Sequence, residues 1–344
     1  MPGTFLGFPF DEELFSLNWQ NAVDPTRAAL IASGAIAQSS EIRNLIANGG
    51  NLYTIPFYNV LGGDEENYDG QTNSTPEATS GSAQTGVVWG RMKSWKAQDF
   101  VFDFNSGADP MQQITSQVAK YWQKKTQASL IQILNGIFGI ADDETEHWDA
   151  WQMHTNNIAT KASSVAEGNK VGEATAGETA QMACGDNAGI FSLAVMHSKV
   201  ATGLAAKQLL QFRKYTDPAG IERTLNIADW NGYTVLVDDG VPVKASTATG
   251  EKEYTTYLFG NASILTAPAP VKNAAEIGRD ALTAGGYDYL VTRKRETLHP
   301  NGFSFILPSG VISPTNAQLG NSANWKLAGV DPKAIAISRI ISNG

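Results

Sequence analysis

The chain has 344 residues and a formal net charge of −9, so binding nucleic acid by neutralising phosphates is not a general property of its surface. Hydrophobic residues make up 42% and charged residues 17%, below the roughly 25% typical of soluble proteins. With 33 glycines, this describes a folded, turn-rich chain whose low-charge surface is partly covered by something else, and the single Cys184 excludes an internal disulfide.

The amino-terminal residues MPGTFLGFPFDEELF lack a basic segment before an apolar one, and no run of 18 apolar residues follows anywhere, so the reading is a soluble, non-secreted protein. Short helical patches are predicted at Arg27 to Ile36 and Ser40 to Ala47, separated by Gly34 and ending at Gly49-Gly50. No compact unit is visible there, so the region reads as an arm that lies on something else.

NLYTIPFYNVL, residues 51 to 61, is rich in β-branched and aromatic residues, and Pro56 within it predicts an edge strand or a bulge. Its expected mate is 87 to 104, where Phe100, Phe102 and Phe104 alternate with Asp99, Val101 and Asp103. Between the two lie residues 62 to 86, which hold Asp64, Glu65, Glu66, Asp69 and Glu77 and no base. Residues 51 to 104 therefore read as a two-stranded projection with an acidic tip, and an isolated hairpin needs a neighbour to lie on.

The strongest prediction is a helix over 109–138. Asp109 is a good N-cap, Pro110 suits the first helical position, and Gln112 can complete a capping box. Ile114, Val118, Tyr121, Leu130, Ile131, Leu134 and Phe138 form an apolar face, opposite Gln113, Lys120, Lys124 and Gln127. Gly136 and Gly139 supply the stop signal. Such a helix is a rod of roughly 40 Å, two to three times the usual length.

ADDETEHWDAWQMHTNN, residues 141 to 157, gathers Asp142, Asp143, Glu144, Glu146, His147, Asp149 and His154. These residue types suit divalent metals, but the spacing matches no mechanistic motif. A solvated connection anchored by Trp148 and Trp151 is the preferred reading.

Beyond residue 173 an α/β pattern begins. GIFSLAVM (189 to 196) reads as a buried strand, with Ser198 capping a helix from Lys199 to Phe212. A turn at Asp217 to Gly220, a strand at Tyr233 to Val237, a turn at Asp238-Asp239-Gly240 and a strand at Tyr254 to Phe259 follow. His197-Ser198-Lys199 lacks the glycines of a nucleophile elbow, so capping is the favoured role. YDYLVTRKRETL (287 to 298) is expected to turn at His299 to Gly302 and return as FSFIL in a hairpin. Arg293, Lys294 and Arg295 form a dense basic cluster on it. No phosphate-binding loop, dinucleotide fingerprint or paired-cysteine motif is present.

In wording and order, LIASGAI, NLYTIPFYNVLGG, AVMHSKVATGLAAKQLL, VLVDDGVPV, YTTYLFGNASI, YDYLVTRKRETLHPNGFSFI and SPTNAQL resemble the major capsid proteins of tailed bacteriophages, over residues from about 28 to 320. That shell fold is shared with the herpesvirus capsid floor and with encapsulin nanocompartments. The resemblance implies an α+β fold with an N-terminal arm (1–50), an extended β-hairpin loop (51–107), a peripheral domain (108–188) built on the spine helix, an α/β axial domain (189–285), and return strands closing the peripheral domain (286–344). It implies no enzyme, no cofactor, no metal and no membrane contact. Copies are expected to form the pentamers and hexamers of an icosahedral phage head, assembled in the host bacterial cytoplasm, with a portal and with double-stranded DNA packaged but not specifically bound. Only about 50 residues precede the extended loop, so a separate scaffolding protein is expected. Two alternatives stand beside this reading: a cellular nanocompartment shell, and a metal-dependent hydrolase using residues 142 to 154. From charge alone, the acidic tip (Asp64, Glu65, Glu66, Asp69) is expected to lie near a neighbouring copy's spine (Lys120, Lys124, Lys125) or return strand (Arg293, Lys294, Arg295).

Overall fold

A computed structural model describes residues 3–5, 8–10, 34–47, 49–58, 65, 67–68, 71, 81–98, 110–141, 146–162, 164–216, 222–245, 251–283 and 285–344. Asp109, Phe100, Phe102, Phe104, the acids at 142–144 and the turn at 217–220 lie outside them.

The spine helix runs Pro110–Ile137. Its first half buries Val118, Ala119 and Trp122 against Ala275 and Leu290, while its second half places Leu130, Ile133, Leu134 and Ile137 in the largest core. That core takes Leu193, Val195, Leu236, Tyr257 and Ile337 from one sheet and Ile36, Trp89, Ile264 and Leu298 from another. The helix thus belongs to both halves of the molecule. Gly136 is not the stop signal expected of it. It lies inside the helix, where a Cβ would come within 2.6 Å of Leu319 O and of the Trp325 indole nitrogen, so its role is close approach.

Two sheets flank the spine. The larger has eight strands, in the order Thr155–Asn157, Ile337–Ser342, Lys252–Gly260, Phe191–Met196, Tyr233–Val237, Glu222–Trp230 and Gln211–Thr216, with Val243–Ala245 paired to Lys252–Gly260. Its second face is covered by the helices Thr175–Cys184 and Ser198–Ala206. The smaller has five strands centred on Tyr287–Pro300, which pairs with Trp89–Gln98, Ala275–Asp280 and Ile264–Ala269; Ile36–Gln38 adds in parallel to the last. The sheets divide the chain differently from the ranges read in the sequence. Ile264–Ala269 and Ala275–Asp280 join the smaller sheet, and Ile337–Ser342 the larger one.

Several local expectations change for physical reasons. Ile36 lies in a strand, not a helix, because it pairs with Ile264; residues 27–33 are outside the description. The helix Ser40–Ile46 forms as expected, capped by Ser39, and Ile42 and Ile46 are buried within the chain's own fold. The mate of Leu52–Tyr58 is Gly81–Val87, a segment read as loop because GSAQTGV carries almost no apolar signal. Gly86 faces Tyr53, whose ring occupies the space a side chain would fill, so the missing side chain is the pairing device.

The helix expected to reach Phe212 ends at Ala206, since Gln208 takes a positive φ of 60° and the chain leaves as the strand Gln211–Thr216. Its cap is the His197 side chain, which accepts from Lys199 N, rather than Ser198. Residues 146–152 form a helix rather than a solvated connection, and Trp151 is buried against Phe138. The strand Tyr287–Pro300 turns at Asn301-Gly302, but Phe303–Phe305 does not pair back onto it. One edge of Arg295–Pro300 is already taken by Ile264–Ala269, and the returning segment pairs with Trp325–Leu327 instead. No helix among the described residues is long and apolar enough to cross a membrane.

Gly136 and Gly177 provide an internal comparison. Gly136→Ala should destabilise the unassembled subunit by about 1–3 kcal/mol through overpacking. Gly177→Ala, an exposed helical position with nothing within 4 Å, should stabilise it by about 0.5–1 kcal/mol. Urea melts of the two variants check both signs.

Candidate subunit-contact surface

The return strand alternates its faces, and Asp288, Leu290 and Thr292 turn towards the spine. Trp122 Nε1 donates to Thr292 Oγ1 at 3.0 Å. Lys294 Nζ lies 2.6 Å from Glu296 Oε2 and donates to Thr126 Oγ1 at 2.7 Å, and that hydroxyl donates to Glu296 Oε1 at 2.9 Å. A largely buried ion pair is thereby locked to the helix with each oxygen engaged, the arrangement in which such a pair is tolerated. Arg293 binds Glu276 at 2.8 Å, and Arg295 donates to Gly50 O at 2.8 Å and Asn51 Oδ1 at 3.2 Å.

The basic cluster expected to meet a neighbour is thus engaged within its own chain. The spine lysines differ: Lys120, Lys124 and Lys125 are exposed, and Lys125 Nζ sits 5.4 Å from the Tyr121 ring. The strand Trp89–Gln98 runs beside them and joins the spine through an edge-on contact of Trp95 with Tyr121 at 5.4 Å. It adds exposed Lys93 on the face of Trp95, Lys96 on the opposite face over the Tyr287 ring, and half-buried Arg91, which donates to Pro314 O and Asn316 Oδ1. Helix and strand together hold six cations and no carboxylate, in a chain of net charge −9. Sequence reading missed the contribution of the strand because its lysines alternate with Met92, Ser94 and Trp95 and form no run.

The projection is fastened at its base by buried polar contacts. Tyr53 OH donates to Thr297 Oγ1, which donates to Val87 O, each at 2.8 Å. His299 Nε2 donates to Gln84 Oε1 at 3.0 Å, and Gly302 N donates to the same oxygen. Burial holds the His299 imidazole neutral, with its pKa pushed down to about 4. Of the tip acids, Glu65 is described and exposed; Asp64, Glu66 and Asp69 lie outside the described residues.

The metal reading of residues 142 to 154 finds no geometry among the described residues, where no group of three metal-ligating side chains forms. His147 is exposed, while His154 is fully buried, with Nδ1 2.8 Å from Ile337 O. Asp238 and Asp239 likewise act separately, accepting from Gly240 N and Ser198 N.

The family model described as Gp13-like, major capsid protein 13-like, matches residues 149–336, more than half of the chain. This chain belongs to the Gp13-like major capsid protein family. A curated relative, the major capsid protein of Bacillus phage SPP1, is 29% identical over 313 residues, covering 90% of this chain and 89% of the relative. Among solved structures, the Ralstonia phage GP4 capsid matches with a TM-score of 0.55 at 11% identity, covering 90% of this chain and 87% of its own. The cyanophage Pam1 capsid gives 0.54 at 12%, covering 93% of each. At these identities the structural likeness speaks for the fold, which is the phage capsid fold, α+β. The major capsid protein function rests on the family.

The buried histidine gives the capsid subunit a defined acid response. In the unfolded chain His299 takes a proton near pH 6.5; in the folded chain it does so only near pH 4. Its contribution is therefore complete above pH 6.5 and is lost as pH falls from about 6.5 to about 4, by about 3 kcal/mol in all. His154, also held neutral by burial, acts in the same direction. Urea midpoints measured from pH 7.5 to 4 should fall across this window, and His299→Gln should flatten the slope.

Proposed function

We propose that copies of this chain form pentamers and hexamers that close as the icosahedral wall of a tailed-phage head around double-stranded DNA. The observation that carries the reading is the match of more than half of the chain to a family of major capsid proteins. The physical form supports it: one surface meeting a different surface on the next copy generates rings when the rotation closes. A projection whose two strands, among the described residues, pair only with each other, Leu52–Tyr58 with Gly81–Val87, gains from a neighbour to lie on. The family match favours a phage head over a cellular nanocompartment, and a wall subunit needs no catalytic site. A separate scaffolding protein and a portal complete the partners of this reading, with assembly in the host cytoplasm. The arm, extended loop, peripheral and axial domains are the parts through which such a wall is built.

Between copies, the acidic tip of one chain is taken to face the exposed spine lysines of the next. Exposed ion pairs contribute only about 0–1 kcal/mol each, so this contact sets orientation and assembly rate more than subunit stability. Packaged DNA is contained rather than gripped, because net charge −9 gives no general attraction to phosphate.

Light scattering of purified protein, alone and co-expressed with a scaffold, should show rings and shells; a strictly monomeric species under every condition would sink the proposal. The unassembled subunit should bind duplex DNA no more tightly than about micromolar near physiological salt. Reversing Glu65 and Glu66 to Lys should slow assembly, most at low salt, and leave the melting temperature of the subunit nearly unchanged. Assembly equal to wild type across salt concentrations would remove the tip from the docking contact.

A further inference from the structure

An asparagine followed by glycine is chemically labile, because glycine places no side chain between its own backbone nitrogen and the asparagine carboxamide that this nitrogen can attack. The chain holds five such pairs, at 48–49, 135–136, 231–232, 301–302 and 343–344. Attack requires a nitrogen that is not already donating and a carboxamide free to turn. The fold leaves both to one pair.

The other four are held. Gly136 is buried inside the spine helix, where each backbone nitrogen bonds the carbonyl one turn back. Gly302 N donates to Gln84 Oε1 at 3.0 Å and the Asn301 carboxamide accepts from Gln84 Nε2 at 3.1 Å, so one side chain restrains both reacting groups. The Asn343 carboxamide accepts from Thr160 N at 2.7 Å and donates to the carbonyls of Thr160 and Lys252, each at 3.2 Å. Gly49 N donates to Ile46 O at 3.1 Å, and Asn48 lies outside the described residues.

Asn231-Gly232 differs. It is the two-residue turn between Glu222–Trp230 and Tyr233–Val237, closed by the pairing of Trp230 with Tyr233. Both residues have a positive φ, 48° and 89°, as a type I′ turn requires, and both are exposed. Among the described residues Gly232 N donates to nothing, and a Cβ at Gly232 would meet nothing within 4 Å. The Asn231 carboxamide makes one long contact, from Nδ2 to Glu173 O at 3.4 Å. The peptide joining the two residues therefore has room to rotate towards the side chain.

We propose that Asn231 is a site of spontaneous deamidation. Hydroxide takes the proton of Gly232 N, the nitrogen attacks Asn231 Cγ, and the Cγ–Nδ2 bond breaks as ammonia leaves with a proton from water, which restores the hydroxide. Water then opens the cyclic imide at either carbonyl, giving aspartate or isoaspartate, so one water is consumed and one ammonia released. Either product places a carboxylate where Nδ2 donated to Glu173 O. Isoaspartate also adds a methylene to the backbone of a turn that has to close Trp230 on Tyr233. The site belongs to the single chain and is independent of shell assembly.

The test uses the purified full chain, held folded in mildly alkaline buffer, then digested under acidic conditions and mapped by mass spectrometry, with the same chain unfolded in urea as reference. In the folded protein, conversion of the peptide containing Asn231 should exceed that at each of the other four pairs at least tenfold, and in urea this preference should collapse. Labelling by an isoaspartyl methyltransferase should fall on the same peptide, and the rate should rise with pH. An unconverted Asn231 in folded protein under conditions where the unfolded chain reacts, or equal conversion at the four held pairs, would overturn the proposal.

Discussion

The contact on which the rest depends is the polar lock between the spine helix and the return strand. A carboxylate as buried as Glu296 is costly unless its charge is matched and its oxygens are satisfied. Lys294 supplies the charge and Thr126 bridges the pair to the helix, while Trp122 closes the contact one turn earlier by donating to Thr292. These groups fix rotation and register together, which apolar packing alone leaves loose. Once the register is set, the second half of the helix can present Leu130 to Ile137 to both sheets at once, and Gly136 can pass close beneath Trp325.

The same strand explains the placement of charge. Arg293, Lys294 and Arg295 look like a basic patch, yet each is engaged inside the chain: with Glu276, with Glu296, and with the carbonyl of Gly50. They hold the subunit together. On the spine and its neighbouring edge strand, by contrast, Lys93, Lys96, Lys120, Lys124 and Lys125 are exposed, and neither element carries a carboxylate. One molecule of net charge −9 thus carries a helix and a strand with cations and no carboxylate, while its base-free acidic stretch lies elsewhere in the chain. It also suits a capsid subunit, whose folded core must persist whether or not its neighbours are present.

The projection is the counterpart of this arrangement. Two strands are marginal alone in water. Its inner end is held by Tyr53, Gln84, Thr297 and His299, a set of buried hydrogen bonds that ties it to the return strand. Its outer end has Tyr58 exposed and Tyr68 wholly so.

The sequence alone determined the spine helix, because 28 residues of apolar periodicity after a proline start have one local solution. It also determined the strands at 191–196 and 233–237 and, by wording and order, the capsid family. Tertiary structure decided what local signals cannot carry. GSAQTGV is a strand through its pairing with Leu52–Tyr58, where Tyr53 lies across Gly86, and Phe303–Phe305 pairs with Trp325–Leu327 and not with the strand before it. The cationic surface was half legible. Lys120, Lys124 and Lys125 stand out at helical spacing, but Lys93 and Trp95 join them only through the approach of a strand distant in sequence, and whether an arginine is spent inside or left outside depends on partners far along the chain. Pairing and burial are non-local, and that is the physical reason these features had to come from the fold.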